Sequence, residues 1–355
     1  MRSGRRHQDD RSETPWTAIG FPSTFAAMKV LIHISWPVKA WSIPDAKVAS
    51  LRDSFPEIAF AHTRDGADAR REVENADAAF TPALTPDMVK DAGRLRWVHS
   101  PAAAVEGLLP LPDLAARGVV VTNSRGVQAI PMAEHVMGGL LVLARRLDRT
   151  LAAQHEKRWI QNELIEDASP WMLHGRRMTI VGLGTIGIEI ARRAHAFGMH
   201  VTGVRRRVGE PPPPFVDRVV TPDRLDQVLR DCDILVLSAP AVAATHRMIG
   251  AEQLAQLNPG AVVVNVARGQ IIDEAALSRA LETRQLGGAV LDVFDREPLE
   301  STSPLWSLPN VVITPHSSGF RATHWDGVVE VFSDNLRRFQ RGEALRNVVD
   351  LAAGY

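Results

Sequence analysis

The sequence predicts an α/β protein with two domains, each built around a parallel β-sheet. Three observations support this prediction: the chain length, an alternation of short apolar runs with helical patterns, and a glycine motif set between a strand and a helix. At 355 residues the chain is long enough for two domains with separate cores. Strand-length runs that alternate with helices are typical of parallel sheets, because each parallel connection needs a crossover.

The first alternating region lies near the start of the chain. Its apolar runs have strand length and are rich in β-branched or aromatic residues. The predicted strands are Val30–Ile34, Ile58–Phe60, Ala78–Phe80, Arg96–His99 and Val119–Thr122. The predicted helices are Pro44–Phe55 and Pro86–Ala92, the second with Thr85 as its N-cap.

A long apolar helix is predicted next, over Pro131–Arg149, followed by an irregular stretch, Trp159–His174. The helix is too apolar for a surface position, so we place it between the two domains. Its glycine pair, Gly138-Gly139, would admit close packing. The irregular stretch carries Trp159 and Trp171, both expected to be exposed, and we interpret it as an arm that packs on a second subunit.

The glycine motif opens the second domain. Gly182, Gly184 and Gly187 have G-x-G-x-x-G spacing, follow the strand Met178–Val181, and open a helix that ends before the strand His200–Val204. Inside such a β-α-β unit the motif predicts a dinucleotide site. The glycines permit a tight turn, a close approach of the backbone to a pyrophosphate, and close helix–strand packing. The alternative is a tight turn that binds nothing.

The alternation then resumes to the end of the chain. The predicted strands are Ile234–Ser238, Ala261–Val266, Ala289–Val293 and Val311–Thr314, and their Val/Ile/Leu character suits burial on both faces. The predicted helices are Asp223–Arg230, Ala251–Leu257, Glu274–Thr283 and Arg321–Arg341. The last helix is expected to return to the first domain. The predicted domains are therefore 28–126 together with 319–355, and 127–318.

Composition excludes several classes of protein. Residues 1–27 are polar and lack the apolar core of a signal peptide, so we predict a disordered, dispensable extension before Met28. Basic and acidic residues balance at 41 each, which argues against a nucleic-acid or anionic membrane partner, and no apolar run reaches membrane-span length. Cys232 is the only cysteine, and the histidines lack metal-ligand spacing. We therefore predict no disulfide framework, no metal site and a cytoplasmic setting.

Three polar residues follow predicted strands of the second domain: Arg268, Glu297 and His316. Ligands bind outside the carboxyl ends of strands in open α/β sheets, so we expect these side chains to converge. Hydride attack on a carbonyl builds negative charge on oxygen, which requires a proton donor and a fixed positive charge. Singly, a surface arginine, a solvated loop acid and an interior histidine are plainer interpretations. Their joint position beyond a dinucleotide motif favours catalysis.

Taken together, the motifs resemble the D-isomer-specific 2-hydroxyacid dehydrogenases. The resemblance is carried, in the family's order, by the glycine motif and by Val266-Ala267-Arg268-Gly269, Asp292-Val293-Phe294 with Glu297-Pro298, and Thr314-Pro315-His316. Val121-Thr122-Asn123 and Ala133-Glu134-His135 match the segment where that family crosses between its domains. The resemblance implies a central Rossmann-like coenzyme domain, a flavodoxin-like catalytic domain formed by both chain ends, and a homodimer that uses the long helix and the arm.

The resemblance also implies roles for individual residues. His316 would be the acid/base, Glu297 its partner and Arg268 the substrate anchor. Apart from the motif glycines, the implied coenzyme contacts are Thr185, Ile186, Pro240, Thr245, Val266, Ala267 and Asp292, the last on the nicotinamide carboxamide. The substrate loop lacks the family's glycines, so the N–H groups of Ala103 and Ala104 would take the substrate carboxylate with some backbone strain.

The choice of coenzyme is predicted from the end of the second strand of the glycine unit. In NAD-preferring sites an acid about 20 residues beyond the glycines accepts the ribose hydroxyls. Here that position is Arg205, followed by Arg206 and Arg207, with no acid nearby. An arginine binds a 2′-phosphate that a carboxylate would repel. We predict NADP, with NAD as the alternative; the plainer interpretation is that these arginines are merely solvated.

We therefore expect NAD(P)-dependent reduction of a small 2-keto acid, such as glyoxylate or hydroxypyruvate, to a D-2-hydroxy acid, or the reverse oxidation. Formate dehydrogenases of this family carry glutamine in place of Glu297, which disfavours that activity. The longer phosphoglycerate dehydrogenases add a regulatory domain, for which the predicted ranges leave no room. Corepressors of the C-terminal-binding-protein type keep the catalytic residues, and a dinucleotide-sensing binding protein is the non-enzymatic alternative.

Overall fold

The computed structural model describes residues 28–109, 111–167, 170–207 and 211–354. The predicted extension, residues 1–27, lies outside the described residues. The chain divides into two compact units, one of residues up to Ser124 with Trp325–Gly354, the other Arg125–His324. From the sequence, the chain was predicted to cross from one domain to the other after residues 126 and 318. The assignment of substrate and coenzyme roles to the two units stays a prediction.

The strands and helices alternate along the described ranges. The strands are β1 (Lys29–Ile32), β2 (Ala59–His62), β3 (Ala78–Phe80), β4 (Trp97–Ser100), β5 (Val120–Asn123), β6 (Arg177–Val181), β7 (His200–Val204), β8 (Arg218–Val220), β9 (Ile234–Leu237), β10 (Ala261–Asn265), β11 (Leu286–Leu291) and β12 (Val311–Ile313). The helices are α1 (Asp45–Ser54), α2 (Gly66–Val73), α3 (Pro86–Asp91), α4 (Pro112–Ala116), α5 (Ala129–Arg145), α6 (Leu147–His155), α7 (Gln161–Glu166), α8 (Thr185–Ala196), α9 (Leu225–Leu229), α10 (Ala251–Gln256), α11 (Glu274–Glu282) and α12 (His324–Arg341). Among these helices, none has the length and apolar character needed to cross a membrane.

Each unit contains one parallel sheet. The first has five strands in the order β2-β1-β3-β4-β5, and the second has seven in the order β12-β11-β10-β9-β6-β7-β8. The predicted α/β class with parallel sheets is confirmed. The strand order reverses between β6 and β9, which is where an open parallel sheet binds ligands outside its carboxyl ends. Strands β9 and β10 are buried throughout, which explains their continuous apolar runs.

The core of the first unit contains side chains from both of its sequence segments. Phe332 of α12 stacks on Phe80 of β3, with ring centroids 4.1 Å apart, and on Trp97 of β4 at 5.3 Å. Beyond α12, the N–H of Val349 donates to the carbonyl oxygen of Val121 in β5 at 2.8 Å. The C-terminal residues are therefore integral to this unit.

A fully buried histidine lies in the same core. Nδ1 of His99 is 2.7 Å from the hydroxyl of Thr122, and its Nε2 is 3.1 Å from the hydroxyl of Ser124. Burial lowers the pKa of His99 to about 3, because a charged ring would lose its hydration without gaining a charged partner. The ring is therefore neutral near pH 7.

This histidine makes the stability of the protein depend on pH. The unfolded ring takes up a proton near pH 6.5 and the buried ring only near pH 3, so the unfolded state binds more protons between these values. The free energy of unfolding should then fall as the pH falls below 6.5, by up to about 1.4 kcal/mol per pH unit. Urea unfolding of His99→Gln, whose side chain does not titrate, should lack this slope.

The same substitution at His155, which is exposed on α6, is the matched control. Burial also lowers the pKa of His62 and of His324, so the difference between parent and variant is the quantity to compare. Equal slopes for the parent and His99→Gln would contradict the prediction.

The long apolar helix ends earlier than the sequence predicts. Arg146 adopts a left-handed backbone with φ of 54°, which ends α5 and starts α6 directly after it. Because apolar residues continue across the break, the pattern did not reveal it. Of the glycine pair, Gly139 permits close packing, since a Cβ there would lie 2.5 Å from Cγ1 of Val290, whereas Gly138 faces open space. A position of this helix between the domains stays a prediction.

The stretch predicted to be irregular contains the short helix α7. Trp159 is 88% exposed, as expected. The prediction that Trp171 is exposed is wrong, because its side chain is half-buried and the guanidinium of Arg176 lies over its ring. The backbone N–H of Trp171 donates to the carbonyl of Ala144 at 2.8 Å. Packing of this arm on a second subunit stays a prediction.

Short elements account for the remaining differences. Helices α2 and α4 and strand β8 were not predicted, because α4 and β8 are very short and α2 is largely polar. The helix predicted over Asp223–Arg230 is a 3-10 turn, Pro222–Arg224, followed by α9. The last helix begins at His324 rather than at Arg321.

Candidate active site

The glycine motif forms the turn between β6 and α8. Gly182 has φ of 100°, and a Cβ on it would lie 2.5 Å from the backbone nitrogen of Ala239. A Cβ on Gly187 would lie 2.3 Å from the carbonyl oxygen of Gly182. A Cβ on Gly184 would meet no atom within 4 Å. Two glycines are therefore required by the protein's own packing, and the third leaves an open side where a pyrophosphate can approach.

Helix α8 begins without a side-chain cap. Gly184 is the N-cap, and the first hydrogen bond of the helix runs from the N–H of Ile188 to the Gly184 carbonyl at 2.9 Å. The N–H groups of Thr185, Ile186 and Gly187 therefore have no partner within the helix. Such a helix start attracts anions, and these residues fit the pyrophosphate of a dinucleotide.

The end of β7 lies beside this turn. The N–H of Gly182 donates to the carbonyl of Val204 at 3.0 Å, and the N–H of the next residue, Arg205, donates to Val220 of β8 at 3.0 Å. Arg205 is half-buried and Arg206 is exposed. In the sequence these two residues occupy the position where an NAD-preferring site has a carboxylate, and their contact with a coenzyme stays a prediction.

The remaining predicted coenzyme contacts lie in turns after β9 and β10. The hydroxyl of Thr245 donates to the carbonyl of Pro240 at 2.7 Å, which closes the turn after β9. Val266 and Ala267 have buried side chains, so only their backbone is available to a ligand. These four contacts stay predictions.

His316 and Glu297 are in direct contact. Nδ1 of His316 lies 2.7 Å from Oε2 of Glu297, and Oε1 of that carboxylate accepts the N–H of Phe294 at 3.0 Å. Because a carboxylate only accepts, Nδ1 carries a proton, and Nε2 is the ring nitrogen available to a substrate. The side chains are 46% and 34% exposed, so a ligand can reach them.

The backbone of His316 is left-handed, with φ of 53°. This region costs a residue with a Cβ about 1–2 kcal/mol, so the surrounding structure must stabilise it. The N–H of His316 donates to the carbonyl of Asp292 at 2.9 Å. This hydrogen bond to the residue that directly follows β11 therefore holds the backbone conformation of His316.

The carboxylate of Asp292 holds the same turn. It is fully buried; its Oδ1 accepts the hydroxyl of Thr314 at 2.6 Å and the N–H of Ser317 at 2.9 Å, and its Oδ2 accepts the N–H of Ser318 at 3.0 Å. Burial by itself raises the pKa of Asp292, but hydrogen bonds from Ser318, Thr314 and Ser317 bring the pKa below its ordinary value. The structure thus gives this charged group a part in orienting His316, and its contact with a nicotinamide stays a prediction.

Arg268 follows β10, the neighbour of β11, so it lies at the same sheet edge as the pair above. Its turn is fixed by Asn265, which is fully buried, donates from Nδ2 to the carbonyl of Arg268 at 3.0 Å, and accepts the N–H of Ala267 at 3.1 Å. No role was predicted for Asn265 from the sequence. Its signal is an amide side chain at the end of an otherwise apolar strand.

The turn of Arg268 and the loop of Glu297 meet at Gly269. A Cβ on Gly269 would lie 1.8 Å from the carbonyl carbon of Phe294 and 2.2 Å from the nitrogen of Asp295. The two backbones therefore touch, and the absent side chain sets the distance between the arginine and the carboxylate.

In the first unit, the loop after β4 turns its carbonyl groups inward. The Asn123 side chain donates to the carbonyl of Ala103 at 2.8 Å, and the Ser100 hydroxyl donates to that of Ala104 at 2.8 Å. In a trans peptide the N–H points opposite to the C=O of the preceding residue. The N–H groups of Ala104 and Val105 therefore point away from the side chains of Asn123 and Ser100.

The same reasoning applies to Ala103, because the carbonyl of Ala102 accepts the N–H of Ser124 at 3.1 Å. Among the described residues, the N–H groups of Ala103 and Ala104 make no hydrogen bond. The prediction of backbone strain in this loop is wrong, since neither alanine has a positive φ. The loop presents adjacent N–H groups that suit a carboxylate without needing glycine.

Comparison with known proteins places these features in a family. The family model described as "D-isomer specific 2-hydroxyacid dehydrogenase, NAD binding domain" matches residues 137–318. A glyoxylate reductase of Korarchaeum cryptofilum is 31% identical over 284 residues, which cover 78% of this chain and 84% of that protein.

Solved structures show the same likeness. An NADPH-dependent glyoxylate/hydroxypyruvate reductase from Sinorhizobium meliloti, in complex with NADP and sulfate, has a TM-score of 0.77 at 28% identity and covers 92% of this chain and 100% of its own. A D-isomer specific 2-hydroxyacid dehydrogenase from Xanthobacter autotrophicus, in complex with NADPH and MES, has a TM-score of 0.78 at 28% identity, with 93% and 100% covered.

Proposed function

The chain belongs to the D-isomer specific 2-hydroxyacid dehydrogenase family, and from this premise we propose that it uses NADPH to reduce a small 2-keto acid to its D-2-hydroxy acid. As a member of that family the protein is an oxidoreductase with an NAD-binding domain. The observation that carries the proposal is the 2.7 Å contact between His316 and Glu297, at the sheet edge that also bears the open glycine turn.

The coenzyme, when bound, supplies the hydride. The N–H groups at the start of α8 and the open side of Gly184 would hold its pyrophosphate. Arg205 and Arg206 would bind the 2′-phosphate with charge-assisted hydrogen bonds. The relatives in complex with NADP or NADPH support this choice.

The proton comes from His316. In the reducing direction its Nε2–H donates to the carbonyl oxygen of the substrate as negative charge builds there, and in the oxidising direction Nε2 accepts the hydroxyl proton. Glu297 keeps the other ring proton on Nδ1, so the exchange takes place at Nε2. The hydrogen bond from Phe294 to Glu297 keeps the carboxylate oriented.

The substrate carboxylate needs a positively charged group or N–H donors to bind it. The guanidinium of Arg268 can hold it in a bidentate contact and polarise the neighbouring carbonyl. For the first unit, a role of the N–H groups of Ala103 and Ala104 in binding substrate stays a prediction from the resemblance to the family. Substrates of the glyoxylate and hydroxypyruvate type are proposed because a relative and a solved structure named for these acids are similar to most of this chain.

A turnover assay tests the proposal. Oxidation of NADPH should be followed by the loss of absorbance of the reduced nicotinamide, with glyoxylate, hydroxypyruvate, pyruvate and phenylpyruvate as substrates. The product should be checked for the D configuration. Binding of NADPH without turnover of any of these acids would contradict an enzymatic role and favour a dinucleotide-sensing binding protein.

Coenzyme preference gives a separate prediction. An arginine bound to a phosphate contributes about 1.5–3 kcal/mol, which corresponds to a preference of about 10- to 150-fold for NADPH in kcat/KM. Arg205→Asp should reduce or reverse this ratio and leave kcat at saturating coenzyme almost unchanged. The matched control is Arg218→Asp, which makes the same change of charge at the first residue of β8. Arg205 is hydrogen-bonded to the last residue of that strand, Val220. Equal kcat/KM for NADPH and NADH in the parent would defeat the prediction.

A further inference from the structure

A histidine of α5 contacts the turn that carries His316, and the mechanism above does not use it. Nε2 of His135 lies 3.1 Å from the hydroxyl oxygen of Thr314, which in turn lies 2.6 Å from Oδ1 of Asp292. All these side chains belong to the second unit. They form a continuous hydrogen-bonded row behind His316.

The donors and acceptors in this row have fixed directions. The carboxylate of Asp292 is charged and only accepts, so the hydroxyl of Thr314 donates its single proton to it. The hydroxyl oxygen then accepts from His135, whose Nε2 must carry a proton. A ring with a proton on Nε2 meets this condition.

Close packing of α5 on the sheet brings His135 to this position. His135, Gly139 and Leu143 are spaced four residues apart and lie on one face of the helix. A Cβ on Gly139 would lie 2.5 Å from Cγ1 of Val290 in β11. One turn further, Cδ1 of Leu143 lies 3.1 Å from the Cβ position of Gly288 in the same strand. The face of the helix is therefore in direct contact with β11, and His135 lies one turn before that contact.

We propose that His135 is a positioning residue for His316, acting through Thr314 and Asp292. The inference rests on the proposed function, in which His316 is the acid/base. Asp292 holds the backbone of His316 in its left-handed conformation through its own carbonyl and through the two N–H groups that follow. The donor from α5 fixes the hydroxyl of Thr314, and thereby the direction in which this carboxylate is held.

The first test is a pair of substitutions at His135. His135→Leu removes the donor and should lower kcat by about 10-fold with little change in KM for the keto acid, because the proton donor is misplaced while binding groups remain. His135→Gln places an amide N–H near the position of Nε2 and should recover kcat to within about 3-fold of the parent. An equal loss in both variants would overturn the proposal, since packing alone would then explain it.

A second pair tests the hydroxyl. Thr314→Ser keeps the donor and acceptor and should retain kcat, whereas the nearly isosteric Thr314→Val should lose it to about the same degree as His135→Leu. Because both changes interrupt one row, the double variant His135→Leu with Thr314→Val should be little worse than either single variant. Losses that multiply would show that the two residues act independently, against the proposal.

A spectroscopic measurement separates this inference from the proposed function. Imidazole ¹⁵N resonances of the ligand-free protein should show His135 protonated at Nε2, and in His135→Leu the resonances of His316 should shift or broaden while the melting temperature changes little. Unchanged His316 resonances would overturn the positioning role, even in a protein that turns over keto acids. A parent without turnover would overturn the proposed function instead, and the spectra would still decide the contact.

Discussion

His316→Ala should lower kcat for 2-keto acid reduction by about 100-fold or more, the usual contribution of a positioned proton donor. The substitution removes the ring that lies 2.7 Å from Glu297 and leaves the glycine turn and the start of α8 untouched. Binding of NADPH, measured by the change in its fluorescence, should therefore survive.

Glu297→Gln is the companion variant. Its amide oxygen can still accept the Nδ1–H of His316, but the negative charge beside the ring is lost, so a smaller reduction in kcat is expected. Turnover of His316→Ala at nearly the parent rate would refute the assignment of the proton donor. Loss of NADPH binding in the same variant would instead place His316 in the coenzyme site.

Gly269→Ala should have an effect of similar size, although it adds one methyl group and changes no charge. The new Cβ would overlap the backbone of Phe294 at 1.8 Å, and neither backbone can yield without moving the loop. Overpacking of this kind costs about 1–3 kcal/mol, and a displacement of about 1 Å between Arg268 and Glu297 can reduce kcat about 100-fold. We expect a lower melting temperature together with a loss of kcat/KM.

Gly138→Ala is the matched control. It is the same substitution in the same unit, on a helix position where a Cβ meets no atom within 4 Å. Alanine favours a helix over glycine by about 1 kcal/mol, so this variant should be as stable as the parent or more so. Parent-like stability and activity in Gly269→Ala would show that the two loops are free to separate.

The sequence predicted those features that follow from the order of strands in a sheet. Arg268 and His316 could be placed at one edge because parallel strands all end on the same side, whatever the detailed contacts. The break at Arg146 could not be predicted, because apolar spacing persists across it and only the backbone angle changes. The periodicity of apolar residues indicates which face of a helix is buried, but it does not indicate at which residue the backbone becomes left-handed.

The contacts of polar side chains were harder to predict for a related reason. A nicotinamide contact was predicted for Asp292 from its place in a motif, but the hydrogen bonds of its carboxylate to the turn of His316 were not predicted. Asn265 was passed over although it fixes the turn of Arg268. Apart from the hydroxyl of Thr314, the partners of these two side chains are backbone groups, and the direction of a backbone group after a strand end depends on the three-dimensional turn rather than on residue type.

The aromatic core of the first unit also sets an order of events during synthesis on the ribosome. Phe80 and Trp97 are made early, but Phe332, on which both stack, is made only after the whole second unit, Arg125–His324. The second unit is a continuous segment, so it can fold as soon as it has emerged. The N-terminal sheet must wait with an unsealed apolar face until α12 and Val349 leave the ribosome. For that interval of translation, we expect the nascent N-terminal segment to expose apolar surface that chaperones can bind.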